Sequence, residues 1–119
     1  MKILIADDEL EIRRILRILL ENQGHTIIEV GDGEAAVRAA RENEDTDLCI
    51  MDIMMPKMSG VQATEMIRGF SAVPILFLTA KSLETDKTDA YLSGGDDYIV
   101  KPFSPKVKVR VTLRTKASP

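Results

Sequence analysis

The chain has 119 residues, 45% hydrophobic and 29% charged, with a net charge of −3. This length predicts one domain, whose single core buries roughly two thirds of the unfolded surface. The acidic balance excludes the basic surface of a nucleic-acid-binding domain, and the chain has no apolar run of about 18 residues to cross a membrane. Its N-terminus lacks the features of a signal peptide, so we expect a cytoplasmic protein.

Predicted strands and helices alternate along the sequence. Apolar, β-rich runs predict five strands, at residues 2–6, 26–30, 48–51, 73–78 and 98–100. Later helices are predicted at 33–42, at 60–69 and, with fewer apolar anchors, near 83–92. This order favours βαβ units around a parallel sheet with helices on both faces, which is an α/β fold.

The first helix has the clearest pattern. Five apolar residues recur at helical spacing and predict its buried face: Ile12, Ile15, Leu16, Leu19 and Leu20. Charged residues are expected on the other side: Glu11, Arg13, Arg14, Arg17 and Glu21. At the other end of the chain, residues 105–116 alternate as a strand would, yet we expect a helix because that face of the sheet needs cover.

Polar residues stand where the predicted strands end. Asp7 and Asp8 follow the first strand, Asp52 the third, Thr79 the fourth and Lys101 the fifth. The carboxyl ends of parallel strands meet at one edge, so these groups should converge. Three carboxylates repel one another and one lysine cannot neutralise them, whereas a hard divalent cation such as Mg²⁺ can.

Each of these residues also has an ordinary structural interpretation. Asp8 and Glu11 form a D-x-x-E pattern typical of a helix capping box. Asp52 could belong to a turn leading into Pro56, and Lys101 could be any surface lysine. Their joint occurrence at strand ends favours a functional site. His25 is expected to be solvated and far from it.

Five motifs resemble the receiver domain of two-component response regulators, the CheY-like superfamily, over essentially the whole chain. They are ILIADDE (3–9), VGDGEAAV (30–37), DIMMPKMSG (52–60), PILFLTAK (74–81) and DDYIVKPF (96–103). The resemblance implies a flavodoxin-like (βα)5 doubly wound sandwich with a five-stranded parallel sheet of order 2-1-3-4-5. The domain would span residues 1–116, and 117–119 would be a tail or the start of a linker.

The resemblance also implies a phosphorelay function. Asp52 would take a phosphoryl group from a sensor histidine kinase, becoming a 4-aspartylphosphate. Mg²⁺, or Mn²⁺ in its place, would be held by Asp8 and Asp52, by Asp7 through water, and by the backbone carbonyl of Met54. Lys101 would contact a phosphoryl oxygen. Such a domain catalyses only its own phosphorylation and dephosphorylation and is not otherwise an enzyme.

The same resemblance implies a switch. The Thr79 hydroxyl and the Ala80 backbone N–H would contact the phosphoryl group, and a cis Lys101–Pro102 peptide would place the lysine. Thr79 would move toward the phosphorylated site and Tyr98 would rotate inward. The face formed by the fourth helix, fifth strand and fifth helix would then change.

The implied partners lie downstream of this switch. The tail resembles receivers joined to winged-helix DNA-binding regulators of transcription, so the output is expected to be a C-terminal DNA-binding domain or a separate effector. A phosphorylation-dependent homodimer is a further expectation. Neither nucleic acid nor membrane is expected to bind this chain directly.

Two alternatives stay open at this point. A haloacid-dehalogenase phosphatase also uses an aspartate nucleophile, but it needs a second acid two residues later, where this chain has Met54. A pseudo-receiver would act as a scaffold without phosphorylation. Loss of an acid, Thr79 or Lys101 would favour it, and all are present.

Overall fold

A computed structural model describes residues 1–79 and 97–100 of the chain. Within these ranges the strands are β1 (Lys2–Ala6), β2 (Thr26–Val30), β3 (Leu48–Asp52), β4 (Ile75–Thr79) and β5 (Asp97–Val100). The helices described are α1 (Leu10–Glu21), α2 (Gly33–Glu42) and α3 (Gly60–Arg68). The predicted helices at 83–92 and 105–116 lie outside the described residues.

The strands are parallel and lie in the order β2-β1-β3-β4-β5. This confirms the predicted doubly wound fold. β4 was predicted from residue 73, but it begins at Ile75, after Pro74. At its far end β3 runs one residue further than predicted, so that Asp52 is part of the strand.

Two apolar layers cover the sheet. On one face, Leu16 and Leu20 of α1 pack against strand residues such as Ile5 and Ile50. On the other face, α2 and α3 pack against residues that include Met51 and Phe77. Burying each large side chain stabilises the fold by about 1.5–3 kcal/mol, so both layers hold the strand ends in place.

The predicted buried face of α1 is only partly correct. Leu16 and Leu20 are fully buried, but Ile15 is 47% exposed. Arg13, expected in solvent, has a side chain only 18% exposed. A long arginine side chain can lay its apolar stem along the protein and keep its charged end near polar partners.

Cys49 is the second residue of β3 and is fully buried. Burial raises the pKa of its thiol to about 12. The thiol therefore stays protonated, as expected of a small core residue. No helix of the described part of the chain is both long and apolar enough to cross a membrane.

Candidate phosphoacceptor and metal site

The sheet register brings Asp7 and Asp52 to adjacent positions. Ala6 of β1 pairs with Met51 of β3, and the two aspartates are the next residues along the chain. Neighbouring parallel strands are about 4.8 Å apart. Asp7 is fully buried and Asp52 is 5% exposed, so two carboxylates share one edge of the sheet with little water.

The loop after β1 adds two exposed acids, Asp8 and Glu9. The backbone N–H of Glu9 donates to Oδ1 of Asp7 at 2.9 Å, which folds the loop around the buried carboxylate. The capping box that was the structural alternative for Asp8 and Glu11 does not form. The N-cap of α1 is Glu9, and no side chain caps the helix, so Asp8 is not used as a cap.

The loop after β3 turns tightly beside Asp52. The Met54 N–H donates to Oδ1 of Asp52 at 3.3 Å, while the Met54 residue is 75% exposed. Further on, the N–H of Met58 bonds the carbonyl of Pro56 at 2.7 Å, and Lys57 between them has a φ of +67°. This is the rare γ-turn with positive φ, a strained conformation for a residue with a side chain.

Gly60 closes this loop against the backbone of the candidate phosphoacceptor. Its N–H bonds the Ile53 carbonyl at 2.8 Å. A Cβ on Gly60 would lie 2.0 Å from the carbonyl oxygen of Asp52, so only glycine fits. Ser59 forms a capping box with Gln62 at the start of α3.

Four carboxylates meet at this edge. One oxygen from each of Asp7, Asp8, Glu9 and Asp52 lies within 4.8 Å of the others. Three of these residues, Asp7, Asp8 and Asp52, were predicted from the sequence as metal ligands, whereas Glu9 was not. Its position directly after the acidic pair was the available signal. An all-oxygen donor set with several carboxylates fits Mg²⁺ or Mn²⁺ and disfavours soft metals.

The structure places the remaining predicted site residues only in part. Thr79 is the last residue of β4, and Tyr98 of β5 pairs with Phe77. The backbone of Thr79 therefore lies in the strand next to β3, and that of Tyr98 lies one strand further from β3. Ala80, Lys101 and Pro102 lie outside the described residues. His25 is half-buried rather than solvated, and its Nδ1 is 3.3 Å from the N-terminal ammonium.

Comparison with known proteins settles the family. The family model described as the response regulator receiver domain matches residues 3–111. The chain belongs to this family. Membership in this family sets aside the haloacid-dehalogenase alternative.

Among curated relatives, the transcriptional regulatory protein SrrA of Staphylococcus aureus is 44% identical over 116 residues, which is 98% of this chain and 46% of SrrA. The receiver therefore spans about half the length of the curated relatives that it matches. The remaining part of SrrA has no counterpart in these 119 residues.

Solved receivers have the same fold. The receiver domain of Francisella response regulator 1452 aligns with a TM-score of 0.89 at 28% identity, over 99% of this chain and 98% of that one. The receiver domain of a Pseudomonas aeruginosa sensor histidine kinase aligns with a TM-score of 0.87 at 32% identity, over 98% of each chain. That structure is described as having a magnesium ion coordinated in the active-site cleft.

Proposed function

We propose that this receiver accepts a phosphoryl group on Asp52 from a phosphohistidine of a sensor histidine kinase, in a reaction that requires Mg²⁺. The observation that carries the proposal is the convergence of four carboxylates, two of them buried, at the carboxyl edge of the sheet. Asp7, Asp8, Asp52 and the Met54 carbonyl would hold the ion. When bound, Mg²⁺ would neutralise phosphoryl oxygens that the acids would otherwise repel.

The proposed reaction forms one P–O bond and breaks one P–N bond. A carboxylate oxygen of Asp52 attacks phosphorus as the P–N bond of the phosphohistidine breaks, and the imidazole leaves with that electron pair. The Met54 N–H bonds Oδ1 of Asp52 and so orients the carboxylate. We assign the remaining contacts to the Thr79 hydroxyl, the Ala80 N–H and the Lys101 ammonium.

We also propose how phosphorylation of Asp52 would reach an output partner. Phosphorylation would draw Thr79 toward the site and let Tyr98 rotate inward, with the Lys101–Pro102 peptide cis. Residues 1–116 would act as the receiver, with 117–119 as tail or linker. The similarity to SrrA supports a DNA-binding output domain, while a separate effector or a phosphorylation-dependent homodimer would use the same switched face.

An exposed apolar stripe on α1 supports a protein as the phosphodonor. Leu10, Ile15 and Ile18 are 48%, 47% and 63% exposed, and α1 starts directly after the acidic loop. A kinase domain docked on this stripe would bring its phosphohistidine close to Asp52. Burial of exposed apolar side chains would supply affinity for that contact.

Acetyl phosphate provides the direct test. Incubation with acetyl phosphate and Mg²⁺ should add one phosphoryl group to the intact mass, and omission of Mg²⁺ or the Asp52→Asn substitution should abolish the addition. A folded protein that gains no phosphoryl group would reject this function and favour the pseudo-receiver scaffold.

A second experiment separates the kinase from the chemistry. Ile18→Ser should slow transfer from a histidine kinase while leaving acetyl phosphate labelling unchanged. Met66→Ser is the matched control, because Met66 is 48% exposed on α3. Equal transfer rates for the Ile18 variant and the wild type would contradict docking on α1.

A further inference from the structure

Arg13 links the acidic edge to the neighbouring strand β2. Its Nη1 donates to the backbone carbonyl of Asp7 at 2.6 Å. Its Nε donates to Oε1 of Glu29 at 3.3 Å, and the side chains of Arg13 and Glu29 are only 18% and 17% exposed. The guanidinium is thus held between the first acid of the cluster and a carboxylate of β2.

The hydrogen bond from Arg13 to the Asp7 carbonyl holds the peptide plane between Asp7 and Asp8. The Asp7 N–H bonds the Val30 carbonyl at 3.2 Å, so the residue is already fixed on its N-terminal side. Arg13 fixes the following carbonyl. Because the peptide is planar, the Asp7 carbonyl and the Asp8 N–H turn together. Rotation of this plane about the Asp7 Cα–C bond would move the Asp8 Cα, and with it the Asp8 carboxylate, relative to the carboxylate of Asp7.

We propose that Arg13 is a positioning residue for the divalent-cation site, acting through the peptide plane between Asp7 and Asp8. The inference rests on the proposed function and extends it beyond the carboxylates themselves. Groups that orient metal ligands without touching the metal commonly change metal affinity by about 10–100-fold when they are replaced.

The charge of Arg13 and its positioning role predict opposite changes in metal affinity when Arg13 is replaced. A cation beside the site weakens binding of Mg²⁺ by repulsion, so loss of the Arg13 charge alone should tighten binding. Loss of positioning should weaken binding. Lysine keeps the charge but lacks the planar fork that reaches the Asp7 carbonyl and Glu29 together. Arg13→Lys and Arg13→Gln therefore distinguish the two effects.

Arg17 offers a matched control within the same network. Its Nη1 pairs with Oε2 of Glu29 and its Nε with Oε1 of Glu21 at 2.6 Å. Its Nη2 bonds the carbonyl of Ile27 at 3.4 Å, whereas Arg13 bonds that of Asp7. Replacement of Arg17 removes ion pairs of the same type without releasing the peptide plane of the acidic loop.

The test is a titration with Mn²⁺, in which electron paramagnetic resonance measures the free ion, together with the Tm of each variant. Both Arg13 variants should raise the Kd for Mn²⁺ by about tenfold, and lysine should not rescue binding. Arg17→Gln should keep the wild-type Kd even if its Tm falls. Glu29→Gln weakens the contact that holds Arg13 and should give a smaller rise in the Kd for Mn²⁺. This variant tests the proposal if the Arg13 variants do not fold.

The outcomes separate this inference from the function on which it rests. A wild-type protein that binds no Mn²⁺ would reject the proposed metal site, and Arg13 would lose its role with it. If the wild type binds Mn²⁺, then unchanged or tighter binding by the Arg13 variants overturns the positioning role alone. Should those variants fail to fold, a wild-type Kd for Glu29→Gln overturns it.

Discussion

The two edges of the same sheet treat acidic residues in opposite ways. At the amino edge, the Lys2 ammonium pairs with Asp45 at 2.9 Å, and the Lys2 backbone N–H bonds Asp47 at 2.8 Å. Asp45 remains 73% exposed. At the carboxyl edge, Asp7 and Asp52 are buried next to other carboxylates. Acids at the first edge serve local structure, while those at the second lie together in a group that could hold a metal ion.

Glycines at the two edges also have different roles, one in backbone conformation and one in close packing. Gly24 has a φ of +88°, and a Cβ there would have no atom within 4 Å. Gly60 is needed for space, because its Cβ would meet the Asp52 carbonyl at 2.0 Å. The amino edge therefore uses glycine for a turn, and the carboxyl edge uses it to press α3 against the site.

Gly60→Ala should have the largest effect on stability. The added methyl group must displace the backbone of β3 or α3, so we expect the free energy of unfolding to fall by about 3 kcal/mol or more. Gly24→Ala, which introduces only strain at positive φ, should lower it by about 1 kcal/mol. Urea denaturation of the two variants measures the difference. Equal losses would mean that the close approach at Gly60 is absent.

Asp52→Asn should stabilise the metal-free protein. Removal of one buried charge from the acidic cluster relieves repulsion, and we expect a gain of about 1–2 kcal/mol in the free energy of unfolding, as is common when a functional site is neutralised. The matched change at the amino edge, Asp45→Asn, removes an exposed ion pair and should change stability little. Thermal and urea unfolding without Mg²⁺ give both values. A loss of stability in Asp52→Asn would show that repulsion does not dominate this edge.

Lys57→Gly tests the strained turn after β3. Relief of strain at positive φ, about 1–2 kcal/mol, exceeds the entropic disadvantage of glycine, about 0.5–1 kcal/mol, so a net gain of about 0.5–1 kcal/mol is expected. The Lys57 ammonium is 3.8 Å from Asp32, and Lys57→Ala controls for the loss of that contact. If both variants lose stability equally in urea, the turn is not strained.

The smallest effect concerns pH at the amino edge. Burial and, secondly, the charge of the chain's amino terminus lower the pKa of His25 from its ordinary value of 6.5. The unfolded chain therefore binds the proton more readily, and stability should be complete above pH 6.5 and fall as the pH drops below it. His25→Gln should flatten the Tm profile between about pH 7 and pH 5. A Tm that rises on acidification would contradict the sign.

The sequence predicted those features that follow from repetition. Apolar, β-rich runs located the five strands, the helical pattern placed Leu16 and Leu20 on the buried face of α1, and a parallel sheet requires Asp7 and Asp52 to meet at one edge. Details set by single contacts were not predictable. Arg13 turns inward because two oxygen acceptors lie within its reach, and periodicity cannot show acceptors.

Loop details were missed for a related reason. The D-x-x-E pattern indicated a capping box, yet the Glu9 N–H bonds Asp7 instead, and the helix starts without a side-chain cap. The competition between a cap and a buried carboxylate depends on where β1 ends in space. The same contact brings Glu9 to the cluster, which spacing alone did not indicate.

The most direct test of the account is to locate the phosphoryl group chemically. After reaction with acetyl phosphate and Mg²⁺, borohydride reduces an acyl phosphate to the alcohol, so a phosphorylated aspartate becomes homoserine and can be found by peptide mass spectrometry. We predict homoserine at residue 52 alone, only when Mg²⁺ is present. Homoserine at Asp7 or Asp8, or none in a folded protein, would contradict the assignment of Asp52 as the phosphoacceptor at this edge.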